Sequence, residues 1–189
     1  MWPVSTDLQR YVDETLRFAK ALNLTAIHDA EEFSRRFIGP SVAMCEWIPD
    51  DGILLDVGSG MGVPGIPILI SKPGLHGVLV ERRKKRAEFL RHIVRLLKLD
   101  AEVHDCDVRD LKGIAADVCV ARAVSRPDSL LPMVEESMAP DGLAVLPVPA
   151  TMGAWPVPGW VVESVADVMF EGIQQRIHCY RKQGVSRET

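Results

Sequence analysis

The residues best suited to chemistry begin where an apolar run, Ile53-Leu54-Leu55, meets Asp56-Val57-Gly58-Ser59-Gly60-Met61-Gly62-Val63-Pro64-Gly65. Glycines at 58, 60 and 62 permit positive φ and let a ligand approach where a Cβ would collide. A helix that opens just after such a turn points its free amides at that ligand. Glu81 closes a second apolar run, Gly77-Val78-Leu79-Val80, where a carboxylate can accept both hydroxyls of a ribose. These features predict a nucleotide-type cofactor.

The glycine spacing is G-x-G-x-G-x-x-G rather than the dinucleotide G-x-G-x-x-G, and no Walker lysine follows. Asp56, just ahead of the first glycine, is a poor neighbour for a pyrophosphate and a good one for a cation. S-adenosylmethionine carries an ammonium and a sulfonium, and Asp56 could hold the ammonium directly or through water. The turn, Ser59 included, is therefore read as a site for that cofactor; the alternative is a tight strand-to-helix connection without a ligand. Downstream, Asp107 and Val108 are placed to meet an adenine, through an acceptor for its amino group and a backbone amide for a ring nitrogen. Asp107 could equally cap the turn Val108-Arg109-Asp110. Arg122, at the end of another apolar run, could donate to a guanine O6 or a phosphate, brace the cofactor loop, or pair with Asp56 or Asp107.

Around these residues the chain alternates. Strands are expected at 53–57, 77–81, 101–105, 117–121 and 142–147, with helices at 63–72, 84–98 and 128–138 and a short helical turn near 109–114. This pattern implies an α/β fold with a mostly parallel, doubly wound sheet, Rossmann-like in the manner of class I S-adenosylmethionine-dependent methyltransferases. Helical periodicity at 5–20 and 30–47 predicts a small N-terminal helical lobe, residues 1–49, ahead of a cofactor-binding domain at 50–189. Two more strands are read at 159–167 and 173–181. The stretch from Pro147 to Pro158 has four prolines in twelve residues and is either a lid or a rigid connector.

With 189 residues, 47% of them hydrophobic, the chain can bury a full core. Cys45, Cys106, Cys119 and Cys179 show no C-x-x-C spacing, so neither a zinc site nor a disulfide framework is expected, and a cytoplasmic monomer without metal is. Asp7 and Arg10 argue against a signal peptide, and charges and prolines break the apolar run at 66–80 against a membrane span. The net charge of −4 argues against non-specific coating of nucleic acid. Arg82, Arg83, Lys84, Lys85 and Arg86 nevertheless concentrate five cations at a helix start, each opposing the helix dipole by ~0.3–1 kcal/mol. Contact with RNA phosphates would favour them there; the alternative is a solvated face opposite the stripe Leu90, Ile93, Leu96 and Leu97.

Asn23-Leu24-Thr25-Ala26-Ile27, the run Asp56 to Pro67 with its G-x-P-G-I-P ending, Lys85-Arg86 with Phe89-Leu90-Arg91, and Arg122-Ala123 together resemble the GidB (RsmG) family, the 16S ribosomal RNA guanine-N7 methyltransferases. The resemblance covers roughly residues 8–146. It implies cofactor contacts at Gly58, Val63, Val108, Arg109 and Arg122, a ribose on Glu81, and ribosomal RNA or the small subunit as partner. The family usually shows R-H-x-x-D-S where this chain reads Arg36-Phe37-Ile38-Gly39-Pro40-Ser41, and an acidic residue where Arg109 stands. A lysine–glycine after the fifth strand is replaced by Pro147-Val148-Pro149, and a tryptophan–asparagine pair by Phe18-Ala19. Two other readings compete: a paralogue acting on a small molecule or protein, and a catalytically silent module that binds S-adenosylmethionine or RNA.

Overall fold

The computed structural model describes residues 5–122 and 125–184, so Ala123 of the Arg122-Ala123 pair lies outside the described residues. Among the described residues seven strands form one sheet: β1 (Asp51–Val57), β2 (Gly74–Val80), β3 (Ala101–His104), β4 (Ala116–Ala121), β5 (Met138–Val148), β6 (Trp160–Phe170) and β7 (Ile173–Lys182). Their order is β3-β2-β1-β4-β5-β7-β6. The first five run parallel, and β7 is antiparallel to both β5 and β6. The strand order reverses direction at β1, so the carboxyl ends of β1, β2 and β4 flank a crevice of the kind that holds ligands in open α/β sheets.

Both faces of the sheet are covered, which is why its inner strands read as continuous apolar runs rather than alternating ones. Leu54, Leu75 and Leu79 face α1 (Thr6–Leu22), α4 (Gly65–Ser71) and α5 (Lys84–Leu97), while Leu55, Val78 and Val80 face α6 (Pro127–Val134) and the segment around Val108. In α5 the residues Ala87, Phe89, Leu90, Ile93 and Leu97 make the buried stripe that the sequence periodicity leads one to expect.

Three helical assignments differ from the sequence reading. The helix expected at 128–138 ends at Val134, followed by a 3-10 turn at Glu135–Ser137, and Met138 already belongs to β5. The helix after the glycine turn starts at Gly65 instead of residue 63: residues through Pro64 remain in turns, and Val63, as the residue before a proline, is disfavoured from the helical conformation. Residues 30–47 are not one helix. They divide into α2 (Ala30–Phe33), a π-helical turn at Ser34–Ile38, α3 (Gly39–Ala43) and a 3-10 turn at Met44–Trp47. The wide turn inserts one residue into the helical repeat and swings Arg35, Arg36 and Phe37 out of the stripe that Phe33 and Ile38 keep buried. The proline-rich stretch begins inside β5, with Pro147 and Val148 opposite Ile177 and Arg176. Farther on it is tied back where His178 Nε2 meets the Met152 carbonyl at 3.2 Å and Arg126 lies 4.8 Å from the Trp155 ring centroid.

The helices ahead of β1 share one core with the sheet: Leu8, Tyr11, Val12, Phe33, Ile38 and Met44 pack in the same buried cluster as Leu54, Ile66 and Leu90. Ser5 caps α1 by accepting from the Leu8 amide, and Asn23 ends it in a left-handed conformation. Among the described residues no helix is long and apolar enough to cross a membrane, and no group of three or more His, Cys, Asp or Glu residues could hold a metal ion.

One bond couples this helical layer to the glycine turn. The fully buried Tyr11 hydroxyl donates to the Met61 carbonyl at 2.8 Å, and burial pushes the phenol's pKa above its ordinary value. Tyr11→Phe leaves that carbonyl without its donor, so urea unfolding should report a loss of about 1–2 kcal/mol with the fold retained. Unchanged stability would show that the bond does not anchor the turn.

Candidate functional site

The turn after β1 is held from below and from the side by two carboxylates. Gly58, Gly60 and Gly62 have φ of 66°, 59° and 100°. Gly62 admits no side chain, because a Cβ there would lie 2.5 Å from Ile66 Cγ1 and 3.2 Å from Leu90 Cδ2. Beneath the turn, Asp56 is fully buried and its Oδ2 accepts from the Gly65 amide at 3.2 Å, the first residue of α4. A Cβ on Gly65 would meet Asp56 Oδ2 at 2.4 Å, so glycine at 65 is what lets the carboxylate lie against the helix. Asp56 Oδ1 is buried with no hydrogen-bond partner. Burial pushes this carboxyl up to about 7, against the opposing pull of Ser59 and the Gly65 amide and with a further push from Glu81.

Glu81 grips the turn from the side. Its Oε2 accepts from the Gly60 amide at 3.0 Å and its Oε1 from the Arg83 amide at 2.8 Å. Each carboxylate oxygen has a second acceptor position, so the fixed carboxylate keeps capacity for two further donors such as vicinal hydroxyls. The Arg83 amide is an N-terminal donor of α5, whose first turn has no acidic residue and no side-chain cap, so Glu81 stands in for that cap.

Glu81 lies on the wall of a cavity of about 470 Å3, together with Val57, Gly58, Val80, Arg82, Arg83, Arg86, Cys106, Asp107, Val108, Arg109, Ser125 and Met133. Of the cofactor residues expected from sequence, Gly58, Glu81, Asp107, Val108 and Arg109 line it, and Gly60 stands behind the wall, bonded to Glu81. Asp56, Ser59, Gly62, Val63 and Arg122 are not on its wall. Ser59 is turned toward the strands, with its amide on the Val80 carbonyl and its hydroxyl on the Asp56 carbonyl, and Val63 is buried beside it.

Asp107 caps the turn at Val108–Asp110 by accepting from the Arg109 amide, and its two oxygens also accept from Arg109 Nε and a terminal guanidinium nitrogen, each at 2.9 Å. This bidentate pair holds the Asp107 carboxyl well below the usual carboxylate range. An adenine amino group approaching Asp107 would have to share it with Arg109. Of the basic run, Arg82, Arg83 and Arg86 stand on the cavity wall, Arg86 also donates to the Asn23 carbonyl, and Lys84 and Lys85 extend into solvent.

Arg122, just after β4, pairs with neither Asp56 nor Asp107. Its guanidinium lies 4.6 Å from the Phe37 ring centroid, and both terminal nitrogens donate to the Arg36 carbonyl at 3.3 Å. Sequence reasoning missed Phe37, Tyr11 and Met133 as neighbours of this region. Phe37 fits a helical stripe in the sequence, and only the wide turn at Ser34–Ile38 takes it out of that stripe; Tyr11 and Met133 carry no local signal of their place.

The buried Asp56 makes apo stability depend on pH with a definite sign. Its folded pKa is raised to about 7 above an unfolded value near 3.8, so its contribution is fully present below the unfolded value and lost as pH rises through the folded one. Asp56→Asn keeps the acceptor for Gly65 and removes the titration. The stability of the variant relative to wild type should therefore climb by a few kcal/mol between about pH 4 and pH 7 in denaturant titrations; parallel curves would show that Asp56 ionises freely.

The geometry can be set beside known proteins. The sequence model of the GidB family, described as rRNA small subunit methyltransferase G, matches residues 5–147. Ribosomal RNA small subunit methyltransferase G of Syntrophotalea carbinolica is 36% identical over 138 residues, covering 70% of this chain and 64% of that protein. The protein of the same description from Xanthomonas euvesicatoria pv. vesicatoria is 33% identical over 180 residues, covering 90% of this chain and 82% of that one. Among solved structures, Burkholderia thailandensis 1,6-didemethyltoxoflavin-N1-methyltransferase, with S-adenosylhomocysteine bound, superposes with a TM-score of 0.61 at 12% identity, over 95% of this chain and 88% of its own. P. horikoshii TYW2 superposes with a TM-score of 0.61 at 19% identity, over 79% and 63%. At these identities the structural likeness speaks for the fold, that of the class I S-adenosylmethionine-dependent methyltransferases. The sequence likeness goes further: the chain belongs to the GidB family of rRNA small subunit methyltransferase G proteins.

Proposed function

We propose that this chain binds S-adenosylmethionine in the cavity beside Glu81 and methylates guanine N7 in small-subunit ribosomal RNA, in the cytoplasm. The observation that carries the reading is Glu81, a carboxylate fixed by the Gly60 and Arg83 amides on a cavity wall with acceptor capacity left for a ribose diol. The rest of the site fits the same ligand. The Glu81 charge on the wall favours a cation beside the turn, and Val57, Val80, Val108 and Met133 offer apolar wall for a purine.

When bound, S-adenosylmethionine supplies an electrophilic methyl group for in-line displacement by the acceptor's lone pair. The chain's own contribution is to hold that donor, orient the acceptor and exclude water. Guanine N7 has no proton to remove, so no general base is required of these residues. Cys106, a thiol on the cavity wall, is pushed to higher pKa by burial and by Asp110, Asp105 and Asp107, which keeps it protonated and a poor nucleophile. That state disfavours cysteine-assisted methylation of pyrimidine carbons. Arg82, Arg83 and Arg86 line the cavity and Lys84 and Lys85 stand exposed next to them in the chain, where phosphate contacts would offset their mutual repulsion.

Labelled S-adenosylmethionine incubated with the protein, small ribosomal subunits and total RNA should place label in small-subunit RNA; label in a metabolite or protein, or in nothing, would overturn the reading. Glu81→Gln turns one acceptor into an NH2 group that confronts a backbone amide. Calorimetry should then show S-adenosylhomocysteine binding weakened roughly 10- to 100-fold, the range of a lost charge-assisted hydrogen bond. Unaltered affinity would remove Glu81 from the site.

A further inference from the structure

A second, shallower cavity of about 300 Å3 lies between the helical layer and the sheet, lined by Arg35, Arg36, Phe37, Arg122 and Ile173. Three guanidinium groups meet there with little to neutralise them. Arg36 pairs with Glu32 at 3.0 Å. Among the described residues neither Arg35 nor Arg122 has a carboxylate within ion-pair distance, although Glu31 and Glu171 line the adjoining groove on the other side of Arg35. Leaving a half-buried cation unpaired is costly, and an arriving anion would relieve it.

The position is as informative as the charge. Arg122 follows β4 and Glu81 follows β2, on opposite sides of β1 in the sheet. A donor whose ribose met Glu81 and whose other end reached across β1 would have this cavity, at the end of β4, beside that end. The edge of the Arg122 guanidinium is already used, since both terminal nitrogens donate to the Arg36 carbonyl. What Arg122 and Phe37 offer is therefore planar surface. A base stacked there keeps its ring nitrogens free, which a bidentate arginine contact to N7 would not allow.

We propose that this cavity receives the acceptor nucleotide of single-stranded RNA, its base stacked against the Phe37–Arg122 pair and its phosphate met by Arg35 and Arg36. The inference rests on the methyltransferase reading above and names the acceptor subsite for it. The wide turn at Ser34–Ile38 then has a purpose, because it is what turns Arg35, Arg36 and Phe37 toward the end of β4.

The test uses the full chain and a fluorescein-labelled guanine-containing RNA strand of about 20 nucleotides, long enough to span a single-strand site. Anisotropy without cofactor gives RNA affinity, and methyl transfer with cofactor gives KM and kcat. Phe37→Ala should weaken RNA binding and raise KM about tenfold, and Phe37→Trp should restore both. Arg35→Ala should weaken binding and reduce the slope of log affinity against log salt by about 0.7, the share of one phosphate contact on a single strand. Neither variant should alter affinity for S-adenosylhomocysteine. If the wild type methylates RNA and both alanine variants keep its RNA affinity, salt slope and KM, this inference fails alone. If the wild type transfers methyl to protein or to no RNA, the parent reading fails and takes this one with it. Should Phe37→Ala lose its thermal transition, the salt slope of Arg35→Ala decides.

Discussion

Much of the site's geometry depends on one side chain, the Glu81 carboxylate, held by amides from two different elements. One amide, Gly60, belongs to the turn after β1, and the other, Arg83, opens α5. A single carboxylate therefore sets the distance between the glycine turn, the end of β2 and the start of the most basic helix. Charge-assisted bonds to backbone amides are among the stronger polar contacts in a protein, and they cost no side-chain ordering on the donor side. The same carboxylate faces the cavity, so the group that fixes the wall is also the group best placed to recognise a ligand on it.

Asp56 plays the complementary part below the turn. It ties the end of β1 to the first amide of α4 at a place where only glycine leaves room, and it does so nearly dry. Tyr11 brings the helical layer to the same turn through the Met61 carbonyl. Three contacts from three directions thus hold Gly58 to Gly65 in a shape with three positive φ angles. On the other side of β1 the coupling between helical layer and sheet is made by Arg122, stacked on Phe37 and bonded to the Arg36 backbone. The two cavities are therefore built from the same seams.

Much of this was legible in the chain. Apolar runs alternating with helical stripes give the parallel sheet and its crossovers, and the glycine turn with Glu81 about one βα unit later locates the cavity, because those signals are local and follow from backbone geometry. What was hidden depends on partners far apart in sequence. Asp56 looks like a ligand-facing acid until Gly65, nine positions on, is seen to receive it; Asp107 looks available until Arg109 closes on it in a bidentate pair. Arg122 was singled out as an end-of-strand cation, but its stacking on Phe37 across 85 positions leaves no local trace, and the wide turn that presents Phe37 breaks the very periodicity used to find helices. The pairing of β7 between β5 and β6 likewise follows from long-range order that alternation alone does not encode.

If the cavity holds the proposed cofactor, its ribose hydroxyls complete the coordination of the carboxylate that the Gly60 and Arg83 amides begin. The most direct measurement is the amide proton–nitrogen spectrum of the uniformly labelled chain titrated with S-adenosylhomocysteine. The Gly60 and Arg83 resonances should shift together and saturate at one equivalent, because both report on the electron density of the same two oxygens. Resonances that stay fixed at these two positions while others move, or a spectrum that does not respond, would contradict it.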